Sequence, residues 1–109
     1  FVIAVTEDKM GRGSDELGAV LIKAFIHTVA GQARKPDVMI LYNTGVKLTV
    51  QGSDVLEDLK QMESEGVQIL VCGTCLNYFE IKDKLAVGIV SNMYDIVETM
   101  SSAGRLLAP

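Results

Sequence analysis

Tryptophan is absent from this 109-residue sequence, histidine occurs once, and cysteine and proline occur twice each. Two cysteines and the lone His27 cannot supply the four ligands of a structural zinc site within one chain, so no metal or other cofactor is expected. Nor do two cysteines make a secreted disulfide framework, and a reducing, cytoplasmic setting is expected. The prolines are Pro36 and the terminal Pro109, and neither is placed to face the cysteines as the cis-proline of a thioredoxin-type site would. Basic residues are outnumbered, ten Lys and Arg against fourteen Asp and Glu, for a net charge of −4. With no basic stripe, nucleic acid is not an expected partner. Long apolar runs are missing too. The longest, "GAVLIKAFI", is broken by Lys23 and falls far short of the roughly 20 residues that span a bilayer. No secretory signal is visible, and a membrane is not an expected partner. The chain lacks an initiating Met and opens inside the apolar "FVIAV", which reads as one domain, residues 1–109, cut from a longer protein.

What is present is 49% hydrophobic residues, enough for a core without disulfides or metals. They come in two alternating kinds of segment. Short runs rich in Val, Ile and Leu, without period-two alternation, lie at 1–5, 38–42, 67–71 and 87–90, with a weak fifth at 106–108. Such runs read as strands buried on both faces. Between them lie helical patterns. Over 14–30, Leu17, Leu21, Ala24, Phe25 and Thr28 share one face, with Val20, Ile22 and Ile26 also apolar. Over 54–65 the stripe is Val55, Leu56, Leu59 and Met62, and over 92–102 it is Met93, Ile96, Val97 and Met100. A shorter helix is expected over 75–82. "GSDEL" at 13–17, "GSDVL" at 52–56 and "SNMYD" at 91–95 put side-chain oxygens where the first free N–H groups of a helix need them.

This order predicts an α/β fold: a three-layer α/β/α arrangement around a five-stranded parallel sheet. Ligands of such sheets gather outside the carboxyl ends of the strands. Three segments share that rim: "TEDKMGRGS", "NTGVKLTVQGS" and "CGTC".

Cys72 and Cys75, where the third strand gives way to a helix, are the first candidates for chemistry. Helix N–H groups from Gly73, Thr74 and Cys75 favour an anion there. The pair admits a dithiol, half of a metal site shared between subunits, or two packed core cysteines. Asn43, Thr44 and Lys47 stand on the same rim as pocket residues or as a turn. Tyr78 and Phe79 read as a pocket wall or a subunit contact. "GRGS" at 11–14 reads as an anion cradle or a capping turn. Glu57, Asp58, Glu63 and Glu65 read as a solvated helix face.

"GVQILVCGTC" and the final "IVSNMYDIVETMSSAGRLLAP" resemble the DsrE/DsrF-like sulfur-relay family. "GSDELG", "YNTGVKLT", "GSDVLEDL" and "CGTCLNY" are similar to the DsrE-like C-terminal domain of YedF-type proteins, which are associated with selenium metabolism. The resemblance covers nearly the whole chain. It implies the DsrE-like fold, a cysteine at Cys72 that accepts sulfane sulfur as a persulfide, and homo-oligomers. Cys75 matches a second cysteine found in some branches. The implied partners are sulfur donor and acceptor proteins, including a TusA-like domain preceding this one. One departure stands out: where relay members carry Arg-Gly, this chain reads Tyr78-Phe79-Glu80. Lys47 or Lys9 is the available replacement cation. The competing expectation is a non-catalytic oligomerising or regulatory module whose Cys72/Cys75 pair senses redox state.

Overall fold

A computed structural model describes residues 1–109. Five strands, β1 (Val2–Val5), β2 (Val38–Leu41), β3 (Gln68–Cys72), β4 (Ile89–Ser91) and β5 (Leu106–Leu107), form one sheet of order β4-β3-β2-β1-β5. Every pairing is parallel, with Ile3 level with Met39 and Leu107, and Cys72 level with Ser91. The helices are α1 (Asp15–Gly31), α2 (Leu56–Ser64), α3 (Gly73–Tyr78) and α4 (Met93–Ser101). α1 and α2 pack together and α4 packs against β3; because parallel crossovers are right-handed, the reversed step from β4 back to β5 puts α4 on the face opposite α1 and α2. The expected three-layer α/β fold is the one observed. The unbroken Val/Ile/Leu runs of β1 to β3 are buried because helices cover both faces.

Local expectations change at three helices. In α1 the buried face is Gly18, Ile22, Ile26 and Val29, whereas Leu17, Leu21, Ala24 and Thr28 are exposed and Phe25 is half-buried. The helix is apolar on two sides, so periodicity alone cannot select the one that faces the sheet. On the buried side the loop after β1 is tied to the helix, the Met10 N–H donating to the Gly18 carbonyl at 2.9 Å. In α2 no side chain caps the helix. Asp54 is drawn instead to Lys23 at 2.6 Å, and Ser53 Oγ accepts from the Val55 N–H, so the helix starts at Leu56. The helix expected over 75–82 starts at Gly73 and ends at Tyr78, with a separate 3₁₀ turn at Lys82–Lys84.

The stretch after β2, expected as a rim loop, is a 3₁₀ helix from Asn43 to Thr49 with Gly45, Val46, Leu48 and Thr49 buried. The buried Thr49 hydroxyl donates to the Val46 carbonyl at 2.7 Å. This turn sits directly on the end of β1: a Cβ added at Gly45 would overlap the Val5 carbonyl oxygen. A backbone atom of a central strand cannot yield as a side chain does. Gly45→Ala is therefore expected to lower unfolding free energy by about 3 kcal/mol, at the upper end for overpacking. Urea titration checks it.

Candidate functional site

β3 passes into α3 without a loop. Cys72, at φ −62° and ψ 117°, is both the last strand residue and the N-cap of α3. Its neighbour must be glycine: a Cβ at Gly73 would lie 2.9 Å from Val90 Cγ1 and 3.1 Å from the Ser91 carbonyl oxygen. The sharp turn leaves Cys72 in the core at 2% exposure and brings Cys75, on the first turn of α3, out to a half-buried position. Both are free thiols.

The opposing wall comes from the start of the 3₁₀ helix after β2. Asn43 adopts φ +51°, a left-handed backbone that Asn tolerates better than most residues. That conformation directs its N–H at Cys75 Sγ, at 3.1 Å. Asn43 Oδ1 accepts from the Thr44 N–H at 2.8 Å, and Thr44 Oγ1 accepts from the Asp8 N–H at 3.1 Å. The three rim segments are thus joined by hydrogen bonds. Asp8, whose Oδ1 is buried without a partner, is the member that no sequence pattern singled out.

Asn43, Thr74, Cys75, Tyr78 and Phe79 line a cleft of about 400 Å³. Of the expected site residues, Asn43, Thr74, Cys75 and Tyr78 meet on this cleft, while Cys72 and Gly73 are buried and absent from its lining. Thr44 acts from behind Asn43. Lys47 arrives through Phe79, its Nζ standing 4.5 Å over the ring centroid, and Tyr78 packs edge-on to Phe79 at 5.1 Å. Lys9 is engaged elsewhere, 3.5 Å from Asp15. The Cys75 thiol is held above the ordinary cysteine range. Burial is the main cause and the adjoining Cys72 thiol adds to it, while the Asn43 N–H pulls the other way.

Other candidates resolve into structure. Ser14 of "GRGS" caps α1, its Oγ accepting from the Leu17 N–H at 3.1 Å. His27 is exposed, with Nδ1 3.1 Å from Asp58 Oδ1 across the α1–α2 seam. No group of three or more His, Cys, Asp or Glu side chains converges to hold a metal ion.

A parallel five-stranded α/β domain with two thiols at one strand end defines a class of thiol-bearing α/β proteins. The structure agrees with that of MTH1491, a protein of unknown function from Methanobacterium thermoautotrophicum, at TM-score 0.70 and 20% identity over 99% of this chain and 96% of that one. The YchN protein from E. coli matches at TM-score 0.66 and 15% identity over 99% and 97%. BT1422 from Bacteroides thetaiotaomicron, a conserved protein of unknown function, matches at 0.64 and 16% over 99% and 94%. At these identities the likeness concerns the fold. Among curated proteins none matches. The DsrE/DsrF-like family matches residues 4–109, and the chain belongs to that family, which is generally associated with sulfur relay.

Membership gives meaning to the departure after the cysteines. α3 closes with a Schellman pattern in which the Ile81 N–H bonds the Leu76 carbonyl and the Glu80 N–H bonds the Asn77 carbonyl. Glu80 occupies the left-handed position at φ +56°, where glycine is the ordinary choice and where α2 has Gly66 at φ +99°. Glu80 thus fills a helix-cap position that favours glycine, a backbone role separate from its charge. Glu80→Gly is expected to raise stability by about 1 kcal/mol, the cost of a left-handed non-glycine residue. Thermal unfolding checks it, and unchanged stability would contradict the strain.

Proposed function

We propose that this protein carries sulfane sulfur as a persulfide on its Cys72–Cys75 dithiol. The single observation that supports this best is the pair itself: two free, neighbouring thiols at the carboxyl rim of the sheet, one of them on a cleft. The chemistry needs no resident cofactor. A thiolate attacks the outer sulfur of a donor persulfide, the donor thiol leaves, and an acceptor thiol later removes the sulfur by the same displacement. Cys72 is the persulfide residue in this reading, and Cys75 governs whether sulfur is kept or discharged. Lys47, carried on the face of Phe79, stands in for the cation of the absent Arg-Gly. The YedF-like sequence stretches extend the reading to a TusA-like domain or protein as partner, in the cytoplasm, with selenium as a second element for the same thiols. Incubation with a cysteine desulfurase and cysteine is expected to add the mass of one sulfur atom. Replacing both cysteines with Ala abolishes the gain; no gain in the intact protein, where a known carrier loads, would reject the reading.

The protein is also proposed to work as a homo-oligomer. Ile89 and Val90 are exposed on the edge strand β4, and Met93, Tyr94 and Val97 are exposed on the following α4. An edge strand with an apolar flank is a site for further pairing. The intact protein is expected to scatter as a multimer, and Val97→Asp to shift it toward the monomer while its melting temperature stays within a few degrees. A monomeric wild type would contradict this.

A further inference from the structure

We infer that sulfur enters this site at Cys75 and moves inward to Cys72, so that Cys75 is the port and Cys72 the sheltered store. The inference rests on the persulfide reading above but concerns the direction of transfer and the residue that receives the donor. Displacement at sulfur needs in-line access to the attacking thiolate. Cys72 is 2% exposed within the hydrophobic core and does not line the cleft, whereas Cys75 does. A donor thiol presented at the cleft therefore meets Cys75 first. Its walls are aromatic on one side, Tyr78 and Phe79, and polar on the other, Asn43 and Thr74.

The steps balance without an oxidant. The Cys75 thiolate attacks the outer sulfur of a donor persulfide; a bond forms between Cys75 Sγ and that sulfur, and the donor leaves as thiolate with the electron pair of the broken bond. The Cys72 thiolate then attacks the same outer sulfur. The new bond is to Cys72 Sγ, and Cys75 Sγ departs with the electron pair and takes up the proton that Cys72 gave up. One donor persulfide becomes one donor thiol, and one protein thiol becomes a persulfide.

In both steps negative charge sits on Cys75 Sγ, first as nucleophile and then as leaving group. The Asn43 N–H, 3.1 Å away, donates to that atom. Its aim depends on the left-handed backbone of Asn43. The left-handed backbone at Asn43 is the positioning element, and its main-chain N–H is the group that touches the reacting sulfur. Storage at Cys72 then follows from burial, which excludes stray reductants and leaves Cys75 as the way in and out.

The test uses the whole protein with a cysteine desulfurase and cysteine as donor, alkylation as quench, and peptide mapping of the persulfide. Expected is a persulfide on Cys72 in the wild type, on Cys75 in Cys72→Ala, and loading slowed at least about tenfold in Cys75→Ser. Full-speed loading of Cys75→Ser would overturn the port, as would a Cys72→Ala protein that fails to load beside a Cys75→Ser protein that loads. A wild type that collects only a Cys72–Cys75 disulfide and free sulfide would overturn the store. A second readout does not need sulfur: in the unloaded protein iodoacetamide is expected to modify Cys75 about tenfold faster than Cys72. The reverse order would overturn the inference even if loading fails for every variant, an outcome that separately rejects the persulfide reading. In the Cys72→Ala background, Asn43→Gly retains the N–H and the left-handed backbone, and is expected to leave the pH profile of Cys75 alkylation in place. Asn43→Val, which disfavours that backbone, is expected to move the profile to higher pH. With melting temperatures confirming that both variants fold, an unmoved profile in Asn43→Val would remove Asn43 from the mechanism.

Discussion

Between Cys72 and Gly73 the chain turns from strand to helix with no intervening loop, and β4 lies so close that a side chain at Gly73 would meet Val90 and the Ser91 carbonyl. That junction sorts the two thiols. Three residues apart on a regular helix they would be near equals in exposure. Here one is the last residue of a strand buried on both faces, and the other stands on the first turn of a helix at the rim. A difference in access between two identical functional groups is what allows a dithiol to have an outside and an inside.

The rest of the site supports that junction from across the rim. The 3₁₀ helix after β2 is seated on the end of β1 through Gly45, and its first residue points an N–H at the Cys75 sulfur. α3 is closed by Glu80 in a left-handed backbone, and Lys47 lies on the face of Phe79 beside the cleft. The strand order reverses between β1 and β5, two strands from β3, so the thiol site lies at a strand–helix junction rather than at the topological switch. No helix is long and apolar enough to cross a membrane.

Much of the fold was legible in the sequence because each strand is a short run without alternation, and such runs have few uses other than a doubly covered parallel sheet. Asn92 was legible as a helix cap for a similarly local reason: its Oδ1 accepts from the Asp95 N–H three residues on, at 2.9 Å. α1 was not legible in the same way. Its two apolar sides satisfy the helical period equally, and the one that faces the sheet is the side of Gly18, held by a loop contact from Met10. The start of α2 was misplaced because Asp54 serves an ion pair with Lys23 on α1, a partner 31 positions earlier in the chain.

The candidate site divides along the same line. Sequence by itself determined that two thiols sit on the ligand rim of a parallel sheet, since strand order and the C-x-x-C spacing are local properties of the chain. It also placed Asn43, Thr44 and Lys47 on that rim, because they lie in the stretch that follows the second strand. Only the tertiary structure decided that Cys72 is closed off while Cys75 lines the cleft, that an Asn43 N–H reaches Cys75, and that Lys47 lies over Phe79. Access and long-range hydrogen bonds depend on how three separate crossovers pack against one sheet edge, and no single stretch of sequence carries that information.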